Sequence, residues 1–507
     1  MPTCDVAEKA GRFAQVFAPE CSDVTQMTTT PNGPTPRASL FRLTEHQTTV
    51  RREIGAGVTT FMVMAYIIFV NPAILSFAGV PSGEGKGPPF AQVMVATCFA
   101  AALMTLLMGL VSNRPFALAP GMGLNAVVAY QLVVGMGLTW QEAMGVVLVE
   151  GIAITVLVLV GLREAVMQAV PASLKHAIAV GIGCFIFFIG LINGGLVRVP
   201  VETIAVVGGA ATGQPATPLS LGALGTVSVC VTIFGLAITV LLFARGWQSA
   251  LLLGMILTTV LATALNWLTG GTSLAVGATL PDSLWAMPDL GFLALPGVQG
   301  TAGMLVKLGL LSGLLVVFSL MLTDFFDTMG TIIGVSHQMG DVGPTGQVER
   351  LRPMLLVDSL AAAVGGAVGA SSVTTYVESA AGVAAGGRTG LTSVVTAALF
   401  ALAMFFAPLA GVIPPQATAP ALLLVGFLMA RGLRAIDWSS FAEGFPALVT
   451  ILVMPLTYSI TNGIGGGFIS YVAIKVCEGR SRQVHPLLCC TALAFLLYFA
   501  LPWLDGQ

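Results

Sequence analysis

Residues 369–390 decide the fold. They read GASSVTTYVESAAGVAAGGRTG and lie within a long apolar region. The first half of this stretch carries hydroxyl and β-branched residues, which favour a short extended segment over a helix. The second half, residues 380–387, consists mostly of small residues that allow close helix packing. Extended backbone survives at membrane depth only where protein encloses it, so we predict an interrupted transmembrane helix here.

A second stretch of this kind lies earlier in the chain, at residues 116–125, which read FALAPGMGLN. Pro120 cannot donate a backbone hydrogen bond, and Gly121 and Gly123 weaken a helix. We expect Asn125 to follow the break, close to the start of the resumed half-helix. The alternative is a kinked, tightly packed helix in which Asn125 forms a hydrogen bond between helices.

The two stretches belong to an internal repeat. The tripeptide GLT at residues 137–139 recurs at residues 390–392, an offset of 253 residues. The two broken segments keep this offset, and the first span and the span near residue 304 keep roughly the same spacing. If each half holds an odd number of spans, the two copies have opposite orientations in the membrane. Inverted repeats with paired interrupted helices are typical of transporters whose substrate site lies near the membrane midplane.

The composition places the whole chain in the membrane. Of 507 residues, 56% are hydrophobic and only 9% are charged, and the mean hydropathy is +0.92. Ordinary soluble proteins carry about 25% charged residues, so a soluble enzyme, a secreted domain and a disordered scaffold are excluded. The net charge of −2 gives no indication of a nucleic-acid partner. We count 13 to 15 candidate spans and take 14 as the working value, which predicts an all-α polytopic protein.

Basic residues in short loops predict a cytoplasmic N-terminus. Residues 1–50 are polar and are predicted to form a flexible cytoplasmic tail. Lys475, Arg480 and Arg482 fall on the outer side in a strict count of 14 spans. Either residues 444–478 form a hairpin of short segments, or the last span differs. The cysteines and histidines are scattered, so no metal site is predicted.

Acidic residues within the apolar regions carry the candidate chemistry. Asp324 and Asp327 share one helix face because they are three residues apart, and no basic residue lies in the neighbouring turns. Buried carboxylates without a cation favour the protonated state, which suits proton binding. A helix-end cap facing water is the alternative for this pair. Glu378 is expected in the first turn of the second half-helix. Asp358 is expected to open its span and either to tether the loop or to join a proton path.

The repeat relates these side chains to amides. The offset of 253 residues maps Asn125 onto Glu378 and Asn71 onto Asp324. We therefore expect a pseudo-symmetric cavity with neutral hydrogen-bonding groups on one side and titratable groups on the other. A single small ligand would require the Asn125 and Glu378 side chains to lie within about 12 Å of each other.

Three motifs resemble those of the nucleobase–cation symporter-2 family, in particular its AzgA-like purine permease branch. They are residues 119–125 (APGMGLN), 324–331 (DFFDTMGT) and 371–390 (SSVTTYVESAAGVAAGGRTG). The resemblance runs from about residue 41 to residue 503. The last motif is long enough to be highly specific.

The resemblance implies fourteen segments in two inverted sevens, with UraA-like core and gate domains. The core would comprise residues 51–165 and 300–412, and the gate residues 166–299 and 413–507. It implies proton-coupled uptake of purine bases such as adenine, guanine and hypoxanthine across the plasma membrane by an elevator motion. No cofactor is expected besides the proton, and a homodimer is compatible with this fold.

The resemblance and the residues together assign three sets of site residues. Substrate binding is predicted for Asn125, Asp324, Asp327, Thr375 and Glu378. Proton coupling is predicted for Asp324, Asp358 and Glu378. A structural role at the helix breaks is predicted for Pro120, Gly121, Gly123, Ser371 and Ser372.

Rival functions differ in the groups they need. A permease for uracil, xanthine or a small anion is the rival of the same class, although an inorganic anion would favour basic groups, and none lies within the spans. A membrane enzyme could use the Asp-x-x-Asp pair to bind a magnesium diphosphate. That chemistry needs a second acidic cluster and basic residues for the phosphate, and neither lies within the membrane. A channel is the third alternative, but a sealed carboxylate site suits a carrier better.

Overall fold

The computed structural model covers the part of the chain that follows the N-terminal segment. The described residues are 41–77, 85–161, 169–198, 219–269, 283, 285–341, 348–410 and 412–504. The predicted flexible tail at residues 1–50 therefore lies outside the described residues except for its last ten positions.

The first half of the chain alternates long helices with three short strands. Its α-helices are α1 (Val50–Met64), α2 (Ile67–Leu75), α3 (Phe90–Ser112), α4 (Met122–Ala126), α5 (Trp140–Val160), α6 (Ala172–Asn193), α7 (Val227–Ala244) and α8 (Ala250–Leu268). Its strands are β1 (Leu118–Pro120), β2 (Val197–Arg198) and β3 (Ser220–Leu221), and a π-helical stretch, Val127–Gly135, continues α4.

The second half follows the same plan. Its α-helices are α9 (Pro296–Leu308), α10 (Leu310–Met339), α11 (Leu351–Val368), α12 (Ser379–Ala384), α13 (Gly390–Ala403), α14 (Ala407–Ala410), α15 (Pro415–Met429), α16 (Phe441–Thr457), α17 (Ile460–Cys477) and α18 (Pro486–Leu504). Its strand is β4 (Val373–Thr375), and single 3₁₀ turns lie at Leu290–Ala294, Met404–Phe406, Ala430–Ala435 and Ser481–Gln483.

The helices confirm a polytopic all-α membrane protein. Among the described residues, eleven helices are long and apolar enough to cross a membrane, and three shorter apolar helices accompany them. Most of residues 444–478 lie in a helical hairpin formed by α16 and α17. Tyr458, in the left-handed conformation with φ +52°, and Ser459 form the turn between them. Helix α17 is one of the eleven long helices and α16 is one of the three shorter ones, so only α16 is a short segment of the kind that the first of the two predicted arrangements requires.

Helices of one half pack against helices of the other half. In the first set of contacts, α3 and α1 lie against α13, and α5 lies against α11 and α9. In the second set, α6 lies against α15 and α16, and α7 lies against α15. The repeats are therefore interlocked, and the site between them is built from both.

The α5–α11 contact depends on glycine. A Cβ atom on Gly366 would lie 2.5 Å from the backbone nitrogen of Leu148 and 2.9 Å from the carbonyl carbon of Val147. Backbone atoms cannot move aside as a flexible side chain can, so the two helices would have to separate. Small residues allow this close approach in membrane proteins, where packing drives helix association.

We expect Gly366→Ala to destabilise the protein by about 1–3 kcal/mol, the usual cost of overpacking. The measurement is the melting temperature of the purified protein in detergent. Gly55→Ala is the matched control, because no atom lies within 4 Å of its added Cβ and alanine favours a helix interior over glycine. Equal melting temperatures for the two variants would contradict the proposed contact.

Candidate substrate site

The two interrupted segments meet as a pair of antiparallel strands. Strand β1 pairs with β4 in the register Leu118↔Thr375, Ala119↔Thr374 and Pro120↔Val373, and all six residues are buried. Neither segment is a continuous helix, which confirms the predicted short extended stretches. Pro120 and Val373 are separated by the repeat offset of 253 residues, so the pseudo-twofold relation maps this pair onto itself.

Side chains from two helices complete the hydrogen bonds of this crossing. The Leu118 N–H donates to Thr105 Oγ1 of α3 over 2.9 Å, and the Thr375 N–H donates to Asp358 Oδ1 of α11 over 3.0 Å. Thr105 and Asp358 are also separated by 253 residues. Buried backbone groups without water need such partners. Equivalent positions in the two repeats therefore accept a hydrogen bond from a strand N–H. The acceptor is a hydroxyl group in the first half and a carboxylate in the second.

Backbone contacts at both ends tie the strands to their half-helices. The Gly121 N–H donates to the Ser372 carbonyl over 2.9 Å, and the Tyr376 N–H donates to the Ala117 carbonyl over 3.0 Å. The Tyr376 hydroxyl donates to the Pro120 carbonyl. Each break is therefore held by residues of the other break.

The predicted break residues lie where space or conformation is restricted. A Cβ on Gly121 would lie 3.0 Å from Thr374 Cγ2, and a Cβ on Gly123 would lie 2.5 Å from Ile182 Cγ2 of α6. Ser371 adopts the left-handed conformation with φ +73°. The buried hydroxyls of Ser371 and Ser372 have no hydrogen-bond partner among the described residues.

Asp358 is a hydrogen-bonded centre under β4. Besides the Thr375 N–H, its carboxylate accepts from Thr328 Oγ1 of α10 over 2.7 Å and from Thr374 Oγ1 over 3.4 Å. Thr328 and Thr374 are themselves 2.8 Å apart. The sequence analysis placed Asp358 at the opening of its span, and this placement is wrong. It is the eighth residue of α11, because the helix begins at Leu351, seven residues before it.

Glu378 directly precedes α12 and is partly exposed. Its Oε1 atom accepts a hydrogen bond of 2.7 Å from the hydroxyl of Tyr66, a fully buried residue at the junction of α1 and α2. Tyr66 was not among the predicted site residues. The available signal was a lone tyrosine in the apolar first span, six residues before Pro72.

The two α10 acids differ in exposure. Asp324 is buried, whereas Asp327 is partly exposed. Asp327 lies close enough to interact electrostatically with both Asp358 and Glu378. Three acids from α10, α11 and the start of α12 therefore lie in one region. Among the described residues, no group of three or more His, Cys, Asp or Glu side chains is arranged to hold a metal ion.

Neutral polar side chains lie beside the two helix breaks. Asn125 on α4 is buried, and neither of its amide atoms has a partner among the described residues; the same holds for the Thr375 hydroxyl. Asn71 instead donates to Thr97 Oγ1 over 2.8 Å and to the Ala370 carbonyl over 3.0 Å. An unsatisfied buried polar group costs about 1–3 kcal/mol, which a polar ligand can recover. The separation of Asn125 and Glu378 stays a prediction.

The loop after α12 is anchored to α1 by Glu53, an acid that was not among the predicted site residues. Buried Glu53 accepts from the N–H groups of Arg388, over 2.9 Å, and Thr389, over 3.3 Å. It also accepts from Thr392 Oγ1 over 2.6 Å. The Arg388 guanidinium donates to the Val383 carbonyl near the end of α12 over 2.8 Å. The first span thus holds the segment that contains Glu378 at both ends.

Comparisons with known proteins assign the chain to a family. The family model Xan_ur_permease, described as a permease family, matches residues 51–466. The chain belongs to the nucleobase–cation symporter-2 family. The adenine permease AdeP of Escherichia coli K12 is 39% identical over 93% of this chain and 98% of its own length. The guanine/hypoxanthine permease PbuO of Bacillus subtilis is 40% identical over 90% of this chain and 99% of its own length.

Solved structures share the fold of this permease. The transmembrane domain of a cyanobacterial bicarbonate transporter, BicA, superposes with a TM-score of 0.55 at 16% identity, covering 81% of this chain and 97% of that one. The murine anion transporter Slc26a9 in its inward-facing state superposes with a TM-score of 0.57 at 10% identity, covering 92% of this chain and 75% of that one. The relatives are permeases, which confirms the prediction of a transporter over a membrane enzyme.

Proposed function

We propose that this permease imports purine nucleobases together with protons. Relatives at about 40% identity are named for adenine, guanine and hypoxanthine. The single observation that carries the proposal is the crossing of β1 and β4, with Glu378 at one half-helix and Asn125 in the other. The proposal includes a plasma-membrane location and a homodimer, in keeping with the family resemblance, and a cytoplasmic N-terminus, as the basic residues of the short loops predict.

The polar groups of the site match a purine edge. A neutral purine presents N–H donors beside ring-nitrogen acceptors. Glu378 accepts a purine N–H through a carboxyl oxygen, and it keeps this acceptor capacity when it is protonated. Asp324 or Asp327 meets the opposite edge, and the Asn125 amide pairs with a ring nitrogen. The Thr375 hydroxyl, which lacks a partner among the described residues, adds a further donor. A correct partner for each buried group is favourable because unpaired groups are costly.

Proton coupling follows from the crowding of the acids. Asp327 interacts with the carboxylates of Asp358 and Glu378. Nearby like charges oppose simultaneous ionisation, and burial adds to this cost. A proton taken up with the substrate relieves the repulsion between the carboxylates. The proton is released when the site opens to the cytoplasm. Glu378 and Asp324 are the proposed proton carriers, with Asp358 as a further predicted member.

Alternating access is proposed to be of the elevator type. One group of contacts joins α1, α3 and α5 with α9, α11 and α13, and another joins α6 and α7 with α15 and α16. These groups fall within the predicted core and gate domains. The grouping supports movement of a core that contains β1 and β4 along a gate that contains α6 and α15.

The direct test is uptake of radiolabelled adenine, guanine, hypoxanthine and uracil by cells that express this chain. We expect accumulation of purines and its collapse when a protonophore dissipates the proton gradient. Cells with the empty vector are the control. Accumulation that survives the protonophore would refute proton coupling, and uptake of uracil alone would refute the purine assignment.

A further inference from the structure

The contact between Tyr66 and Glu378 carries a role beyond packing. Tyr66 is fully buried, and its hydroxyl donates to Glu378 Oε1 over 2.7 Å. The two residues are 312 positions apart and come from different halves of the repeat. The phenol group of Tyr66 therefore links the first half of the repeat to Glu378, the predicted proton carrier in the second half.

An irregular turn places this phenol. Helix α1 ends at Met64 and α2 begins at Ile67, so Tyr66 lies between them. The N–H groups of Phe69 and Val70 both bond to the Tyr66 carbonyl, over 3.1 and 3.0 Å. The irregular turn between α1 and α2 thus lies at the residue that reaches Glu378.

The same span fixes the rest of the segment that carries Glu378. Gly382 of α12 lies against α1, where an added Cβ would contact Thr60 and come within 3.0 Å of the Ala56 carbonyl. Glu53 of α1 holds the loop beyond α12 through the N–H of Arg388. The backbone from α12 to Arg388 is therefore fixed against α1. The Glu378 side chain can still rotate, and the hydrogen bond from Tyr66 fixes its orientation.

The neighbours of Glu378 explain why the hydrogen bond from the neutral Tyr66 hydroxyl is important for its carboxylate. Tyr66, Tyr376 and Asp327 interact electrostatically with Glu378, and Asp358 interacts with Asp327. None of these four groups is a cation. The Tyr376 hydroxyl is committed to the Pro120 carbonyl. Tyr66 is thus the side-chain donor that stabilises the ionised carboxylate, since a hydrogen bond to the charged form favours that form.

The geometry points to Tyr66 as a positioning residue that orients the Glu378 carboxylate and sets how tightly Glu378 binds its proton. This inference rests on the proposed function, in which Glu378 takes up a proton with the purine. Tyr66 acts through Glu378, and its bond leaves the second carboxylate oxygen, Oε2, for the substrate.

The test is the dependence of purine uptake on external pH. Uptake in the wild type should fall as pH rises, because the proton site empties. Tyr66→Phe removes the donor and keeps the ring, so Glu378 should hold its proton more tightly. We expect the pH of half-maximal uptake to rise by about one unit, which is about a tenfold change in proton affinity. Tyr66→Gln retains an N–H donor and should move the midpoint less.

Tyr471→Phe is the matched control. Tyr471 is also buried and interacts with a carboxylate, that of Glu443, but the pair joins α17 to α16. Its removal should leave the midpoint unchanged. All uptake is normalised to the amount of folded protein. If Tyr66→Phe accumulates too poorly to measure, purine binding to the purified protein decides the role of Tyr66.

The outcomes separate this inference from the proposed function. A wild type whose purine uptake does not depend on pH would overturn the proposed coupling itself. A pH-dependent wild type with the same midpoint in Tyr66→Phe would leave the coupling intact and overturn the role of Tyr66. A second readout is purine binding to purified protein. Tyr66→Phe should weaken binding, because it removes the group that orients the Glu378 carboxylate.

Discussion

Glu378→Gln is expected to abolish the accumulation of purines against a gradient while the protein stays in the membrane at the normal level. Glutamine has the same length and still accepts the hydrogen bond from Tyr66. It cannot ionise, so it cannot release a proton, and its side-chain nitrogen is a donor at the position where the glutamate has a second oxygen. The measurement is uptake of radiolabelled adenine or hypoxanthine at several times, normalised to protein detected by immunoblot.

Glu45→Gln is the control for this variant, because Glu45 is an exposed residue ahead of α1. It should transport as the wild type does. Normal accumulation by Glu378→Gln would remove Glu378 from both the substrate site and the proton path. Loss of the protein from the membrane would identify Glu378 as a structural residue.

Asp358→Ala is expected to destabilise the crossing of β1 and β4. The Thr375 N–H and the Thr328 hydroxyl would lose their acceptor in a place without water. Each donor left unsatisfied costs about 1–3 kcal/mol, and the backbone of β4 has no helical partner to replace the lost bond. We expect a melting temperature lower by several degrees in detergent, together with loss of purine binding.

Asp358→Asn separates anchoring from proton transfer. Its Oδ1 atom can accept from the Thr375 N–H, and its amide can donate to Thr328, so the anchor is kept without a titratable group. A stable Asn variant that still accumulates purines would assign Asp358 to anchoring alone. A stable Asn variant that binds purines but no longer accumulates them would support the predicted role in proton coupling. A stable Ala variant would refute the anchor.

Local chemistry explains why the helix breaks could be predicted. Pro120, Gly121 and Gly123 cannot sustain a helix, and the hydroxyl and β-branched residues of 371–375 favour extended backbone. In a membrane, such segments must be enclosed by protein, so the apolar surroundings made the prediction stronger. The offset of 253 residues then indicated that the two breaks belong together, and they pair with each other in the structure.

The hydrogen-bond partners of the acids could not be predicted from the sequence. Asp358 had two predicted roles because its neighbours, Thr328 and Thr375, lie 30 and 17 residues away along the chain. Tyr66 escaped notice because its partner is 312 residues distant. The hairpin of α16 and α17 was one of two alternatives, since the pattern of charges alone fits either a hairpin or a different last span.

The sequence by itself determined that this chain is a polytopic transporter with two facing breaks and several acids inside the membrane. Those properties follow from hydropathy, helix propensity and repetition, which act over a few residues or are visible as a repeat. Only the tertiary structure decided which acid is anchored by threonines, which is held by Tyr66, and which helices enclose them. A hydrogen bond depends on distances of about 3 Å between atoms, and the folding of the two interlocked halves brings those atoms together.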